Sequence, residues 1–414
     1  MRNGASEEHL VMRGFPVPRS ARVGLTEVYR PPFTRWFMQH VREVAPTALV
    51  PRGAGPVHPL PEALLDLDDT PVRGGDGRSW TLAQMLEATW ADAGIVVHRG
   101  RVVYERYFGG MAPETPHLYQ SVSKSLGACV AGCLMEQGLL SAETAVSDVV
   151  PELAGSGYDG ATVRDLLDMR VGVHYVEDYA DAGCEYFRLE RLYGFRPSRA
   201  DDEPGSSYEH AAETRREGEH GGPLHYVSLN LQVLAWVLER LTSVRLPELI
   251  GRELWSALGT EHDAYIALDG AGSAQLEGGF CSSLRDFARF GLMICRGGRG
   301  PTRQVVPEWF IEDAELNGDR EAYALAASPD DSDVLPAPAY RNNFWTAAPP
   351  GGPVLMGVGI YGQFLYVDRA AELVMAVFST QPTPSDEALF DHRYSAARAL
   401  AETLRGSGAG VETR

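Results

Sequence analysis

Two strand-like blocks stand near opposite ends of this chain, and they constrain its fold more than anything between them. Residues 93–107, AGIVVHRGRVVYERY, read as two β-rich runs around an Arg99-Gly100 turn, hence a hairpin. Residues 354–368, VLMGVGIYGQFLYVD, and 372–380, ELVMAVFST, form a second strand-like pair across the short turn Asp368-Arg369-Ala370. The middle reads differently. Helical spacing recurs over 121–138, 161–170, 229–243 and 282–296, with long Gly-, Asp- and Arg-rich connections between. Residues 386–405 read as an amphipathic closing helix. Strands at both ends with helices between predict an α/β (α+β) chain, in which one sheet is built from the two terminal segments and a mostly helical region is inserted into it. The expected division is a loose N-terminal arm over 1–30, a sheet region from 31–110 and 350–410, and the helical insert over 111–349. Within the first part, Pro51 to Gly77 is Pro/Gly-rich and expected to be irregular.

Composition narrows the partners. The 414 residues suffice for one large domain or two intimately packed ones. A net charge of −19 argues against nucleic acid and anionic membrane, since both need a basic face. No apolar run approaches the ~18–20 residues of a membrane helix. The stretch MRNGASEEHLVMRGFPVPRS has no apolar core or cleavage site, so no secretory signal is read there and a cytoplasmic protein is expected. Five cysteines (129, 133, 184, 281, 295) are odd in number and widely spread, which predicts free thiols rather than a disulfide framework. Cys129 and Cys133, four apart, are expected to be buried on one helix face.

One residue stands apart. Lys124 is the only lysine in the chain; the other 36 of the 37 Lys and Arg residues are arginine. It lies three residues after Ser121 in YQSVSKSLG, where the pattern opens a helix. Three residues along a helix is about 4.5 Å of rise and about 300° of rotation, so the two side chains are neighbours. A serine needs a base to become a nucleophile. An amine can be that base if burial or a nearby cation lowers its pKa, whereas arginine stays protonated. The bland alternative is a lone lysine surviving a bias toward arginine, and S-x-x-K by itself is a weak signal.

Other schemes find no support. There is no G-x-S-x-G elbow, no H-E-x-x-H, no G-x-x-x-x-G-K-[ST] loop, and the eleven histidines show no ligand spacing, so neither metal nor organic cofactor is expected. The glycines of GVGIYG do not open a helix, so no dinucleotide site is indicated.

SVSKSLGACVAG, then ELAGSGYDGATVRDLLDMRVGVHYVEDY, then YVSLNLQVLAWVLERLT, together resemble the serine β-lactamase-fold esterase family, and within it the 6-aminohexanoate-dimer hydrolase branch. The resemblance runs from about Pro31 to the closing helix. It implies a β-lactamase/penicillin-binding-protein-like fold with an antiparallel sheet flanked by helices. Carried over by position, Ser121 would be the acylated nucleophile and Lys124 its base. Tyr226, in HYVSLN, would bridge the two and relay a proton; Tyr179, in EDY, would touch the leaving group. The third family motif falls at Ile360-Tyr361-Gly362-Gln363, with the backbone N–H groups of Ile360 and Ser121 as oxyanion donors. Trp345, Tyr361 and Gly362 would line the substrate pocket, while His225 receives no role.

Two departures are visible. Ser228 stands where the wider family has the asparagine of Tyr-x-Asn, and Tyr361 stands where it has a lysine or histidine that holds a substrate carboxylate. The second removes a cation, so true β-lactamase activity is not expected. The expected activity is hydrolysis of a small amide or ester, by a monomer or homodimer. An acyltransferase passing the acyl group to an amine or alcohol, and a non-catalytic binding protein on the same fold, are the alternatives. The long polar stretch between about Tyr179 and His225 is expected to form part of a lid or pocket wall.

Overall fold

A computed structural model describes residues 11–75, 77–199, 205–326 and 334–406. Residues 1–10 of the expected arm, which are also the first half of the stretch read for a leader, and residues 200–204 of the polar stretch lie outside the described residues.

The two terminal strand blocks do meet. The largest sheet has seven antiparallel strands, in the order Arg101–Tyr107, Ala91–His98, Leu373–Ser379, Gln363–Asp368, Val354–Gly359, Phe344–Ala347, Ala339–Arg341. The join between chain ends pairs Val374 with Val97 and Ala376 with Ile95. The predicted hairpin is present, and both turn residues are left-handed: Arg99 at φ 51° and Gly100 at φ 73°. That two-residue turn carries the twist that paired strands require. The last two strands come from residues expected to be helical insert. Each is only three or four residues long, with a turn of two left-handed asparagines, Asn342 (φ 50°) and Asn343 (φ 57°), between them. Strands this short carry too little period-2 signal to be read from sequence, and the sheet therefore draws on residues before 350.

Both faces of the sheet are covered, which is why its central strands read as continuous apolar runs. Along Leu373–Ser379, Leu373, Met375 and Val377 face one layer; Val374, Ala376 and Phe378 face the other. The first layer holds the closing helix, Glu387–Gly406, through Ala397, Leu400 and Leu404, with Leu82–Ala88 beside it. The second holds Leu284–Cys295, through Phe287, Phe290 and Ile294, and the central helix Val122–Glu136. The central helix is buried at every residue from Val122 to Leu134. Cys129 and Cys133 are among them, as free thiols. A four-stranded sheet, Thr47–Val50, Ala264–Ala267, Phe280–Ser282 and His117–Leu118, was not legible in the sequence and leads directly into the start of the central helix.

The arm is less loose than its prolines suggest. Met12 donates its backbone N–H to Ala21 O at 2.8 Å, Val28 is buried, and Tyr29 stacks on Tyr361 with ring centroids 5.0 Å apart. An aromatic face that finds a partner is worth more than solvent exposure, so the described arm docks. Among the described residues no helix is long and apolar enough to cross a membrane.

Helix Leu284–Cys295 approaches the sheet closely at Gly291, where a Cβ would stand 2.6 Å from Val374 Cγ1 and 2.8 Å from Leu365 Cδ1. Gly291→Ala should therefore destabilise the chain by about 1–3 kcal/mol through overpacking, read as a lower urea midpoint. An unchanged midpoint would show that this helix–sheet contact is looser than described.

Candidate active site

The short strand His117–Leu118 runs through Tyr119 to Gln120, which is left-handed (φ 49°), and Ser121 follows as the N-cap of the central helix. A non-glycine residue in that conformation is strained and is held by its surroundings. Here Tyr119 donates its N–H to Phe280 O at 2.8 Å, and its hydroxyl lies 2.7 Å from Ser282 Oγ. Ser121 does not use its side chain to cap the helix. Its Oγ instead lies 2.8 Å from Lys124 Nζ.

Lys124 is 1% exposed. Its amine also donates to Glu277 O at 2.8 Å, and it stands 5.1 Å from the ring centre of Tyr226. Burial pulls its pKa down to about 8, against the opposing charges of Glu177 and Glu277. The same burial raises the Glu277 carboxyl, which accepts a hydrogen bond from Gln232 Nε2. Tyr226 lies next to the pair. Burial and the charge of Glu177 raise its pKa, the Ser121 hydroxyl pulls the other way, and the phenol keeps its proton.

Glu177 ties the surrounding loop together. Its Oε1 accepts from Tyr179 Oη at 2.8 Å and from Ser228 Oγ at 2.8 Å; its Oε2 accepts from Ser228 N at 2.9 Å. Ser228, at the place of the family asparagine, thus fixes a carboxylate by two bonds. Tyr179 is positioned by this carboxylate and by an edge contact to Tyr186, centroids 5.1 Å apart.

These groups open onto a cavity of about 560 Å³. Ser121, Tyr179, Tyr226, Trp345, Ile360 and Gly362 all contribute to its wall, as does His225. Trp345, on the strand Phe344–Ala347, stacks on Tyr226 at 5.7 Å. Of the expected pocket residues, Tyr361 is the exception. It is left-handed (φ 60°), and its ring turns out of the cavity to stack on Tyr29. The kink that places Ile360 and Gly362 on the wall sends the side chain between them to the other side. Its backbone is pinned by N–H donation to Pro384 O at 2.8 Å.

Glu177 and Glu277 were not singled out from the sequence. Glu177 lies inside the EDY run and carried a signal, as an acid two residues from an expected site tyrosine. Glu277 carried none, because it meets Lys124 across 153 residues.

The sequence matches the family model described as Beta-lactamase over residues 82–400. It is 36% identical over 353 residues to the 6-aminohexanoate-dimer hydrolase of Paenarthrobacter ureafaciens, covering 85% of this chain and 87% of that one. A solved structure assigned as a 6-aminohexanoate-dimer hydrolase from Bacillus anthracis superposes with a TM-score of 0.85 at 27% identity, over 94% of this chain and 99% of the other. EstCE1, a hydrolase with promiscuous acyltransferase activity, shares the fold, with a TM-score of 0.59 at 16% identity over 77% and 98% of the two chains.

Gly359 is where the sheet approaches the start of the central helix. A Cβ there would lie 2.7 Å from the backbone oxygen of Tyr119, which cannot swing aside as a side chain can. Gly359→Ala should push Ile360 away from Ser121, lowering kcat on any substrate the protein turns over by about tenfold or more while the protein stays folded. Wild-type kcat in a folded Gly359→Ala protein would remove this contact from the site.

Proposed function

This chain belongs to the Beta-lactamase family, and we propose that it is a serine hydrolase cleaving a small amide or ester through an acyl-enzyme on Ser121. The observation that carries the reading is the 2.8 Å contact between Ser121 Oγ and an amine that is 99% buried and lowered toward neutrality. Burial lowers this amine well below an ordinary lysine, so far more of it is neutral at pH 7 than of a lysine in water. That difference separates a usable base from an inert cation.

The neutral amine of Lys124 takes the Ser121 proton as Oγ bonds to the substrate carbonyl carbon. Negative charge moves to the carbonyl oxygen, facing the backbone N–H groups of Ser121 and Ile360, each such donor being worth about 3–4 kcal/mol. The C–N or C–O bond then breaks. The leaving group takes a proton delivered by the Tyr226 phenol, which is re-protonated from Lys124. Water repeats the sequence on the ester and frees the acid. Tyr179, held by Glu177, lies where a leaving group would pass. The curated relative is named for a 6-aminohexanoate dimer, and a 560 Å³ cavity with Trp345, Leu224 and Phe390 in its wall suits a flexible aliphatic chain of that size.

Intact-mass analysis with p-nitrophenyl esters and aminohexanoate oligomers should reveal a single adduct mapping to Ser121. Lys124→Arg should fold and lose acylation by a factor of about 10³ or more, since a guanidinium cannot release its proton. Wild-type acylation in that variant would refute the assigned base, and an amide product on adding an amine would move the assignment to acyl transfer.

The pH profile is a second test. Lys124 acts when neutral, so kcat/KM should rise through a midpoint near pH 8. The charge of Glu177 favours the protonated amine; its removal favours the neutral one. Glu177→Gln should therefore shift the midpoint to lower pH. A midpoint that stays or rises would contradict this electrostatic assignment.

A further inference from the structure

The two backbone N–H groups assigned to the oxyanion, those of Ser121 and Ile360, each have a strained neighbour in the chain. Gln120 precedes Ser121 at φ 49°, and Tyr361 follows Ile360 at φ 60°. Left-handed backbone is costly for a residue with a side chain and persists only where its surroundings hold it. Ser121 and Ile360 contribute to the cavity wall; Gln120 and Tyr361 do not, and both are 3% exposed. Their side chains meet the N-terminal arm and the helix that follows it, Phe33–Gln39. Tyr29 lies flat on the Tyr361 ring, centroids 5.0 Å apart and planes 2° from parallel, and meets Phe37 edge-on at 5.3 Å. Its hydroxyl lies 3.4 Å from Glu190 Oε1 and is reached by the Gln120 side chain. Met38 presents its sulfur to two amides at once, Gln120 Nε2 at 4.0 Å and Gln363 Nε2 at 3.9 Å. Gln363 Nε2 in turn donates to Ile360 O at 3.3 Å and to Ser379 O at 2.7 Å. Val28, Phe37 and Met38 form with Leu118, Phe195 and Tyr361 an apolar cluster separate from the two that cover the large sheet, and Ile360 packs against it.

Donors stabilise an oxyanion only when they are held at hydrogen-bond distance from the place where its charge develops. They cannot be held from the cavity side, because that space must admit the substrate. We propose that Tyr29 is a positioning residue for the oxyanion hole: stacked on Tyr361 and reaching Gln120, it braces from behind the two strained residues that set the N–H groups of Ile360 and Ser121. This rests on the Ser121 reading above, since it concerns the same acyl transfer. Tyr29 does not contribute to the cavity wall and touches no reacting atom, so its influence passes through Tyr361 and Gln120. Docking of the arm is then part of assembling the site, although the arm is far from both donors in the chain.

The experiment compares p-nitrophenyl butyrate with its thiono analogue, in which sulfur replaces the carbonyl oxygen. Sulfur is larger and a weaker hydrogen-bond acceptor, so a working oxyanion hole favours the oxygen ester, and the wild-type ratio of kcat/KM should be about ten or more. Tyr29→Ala should lower kcat on the oxygen ester by about tenfold with KM within about twofold, and should reduce the oxygen-to-sulfur ratio by about threefold or more. Tyr29→Phe keeps the stacked ring and should retain most of both. Tyr29→Leu keeps apolar bulk without the stacked face; it should lie between, and it carries the test where Tyr29→Ala does not fold. Wild-type kcat in a folded Tyr29→Ala or Tyr29→Leu protein overturns the proposal. So does a fall in kcat that leaves the oxygen-to-sulfur ratio unchanged, which marks general loosening, or a rise in KM alone, which marks a lost substrate contact. A wild-type ratio near one leaves no hole for Tyr29 to brace and overturns it too. Failure of Ser121-dependent turnover on both esters defeats the hydrolase reading instead.

Discussion

The site depends on one amine being kept out of water. Lys124 Nζ has a hydroxyl on one side, a backbone carbonyl on another and an aromatic face nearby. Burial favours its neutral form, and two carboxylates, Glu177 and Glu277, favour the charged one. Neither influence alone would serve. Unopposed burial would leave an amine too weakly basic to take a serine proton, and unopposed carboxylates would hold the proton on. In the reaction proposed above, that balance would let one group both accept and return a proton.

The fold exists in a form that holds this balance. The central helix is encased from Val122 to Leu134, so the lysine on its first turn is desolvated by the packing that stabilises the helix. Its N-terminus is fixed by the small four-stranded sheet, and the strand Val354–Gly359 is brought to it by close backbone contact at Gly359. The second wall of the cavity comes from the last part of the chain. The strand Val354–Gly359 belongs to the sheet that joins the two ends of the chain, the closing helix packs on that sheet, and both contribute with Ser121 to the cavity wall.

Much of this was legible in sequence, for physical reasons. Strands such as Leu373–Ser379 are buried on both faces and announce themselves as apolar runs, and the closing helix carries a clear apolar stripe. Ser121 and Lys124 could be paired because helix geometry sets their separation within four residues. What was hidden lies in long-range contact or in backbone conformation. Glu277 reaches Lys124 from a distant segment and has no local signature. The side taken by Tyr361 depends on a left-handed φ that a tyrosine does not advertise. The edge strands at 339–347 are too short to show a period.

Because Lys124 is the only lysine, its titration can be followed without assignment. Protein labelled with ε-13C lysine should give a single resonance, and its shift should titrate with a midpoint near pH 8 in the folded enzyme. A midpoint at about 10.4, the value of a lysine in water, would mean that the amine is solvated and charged at working pH. The account of Ser121 activation would then be wrong.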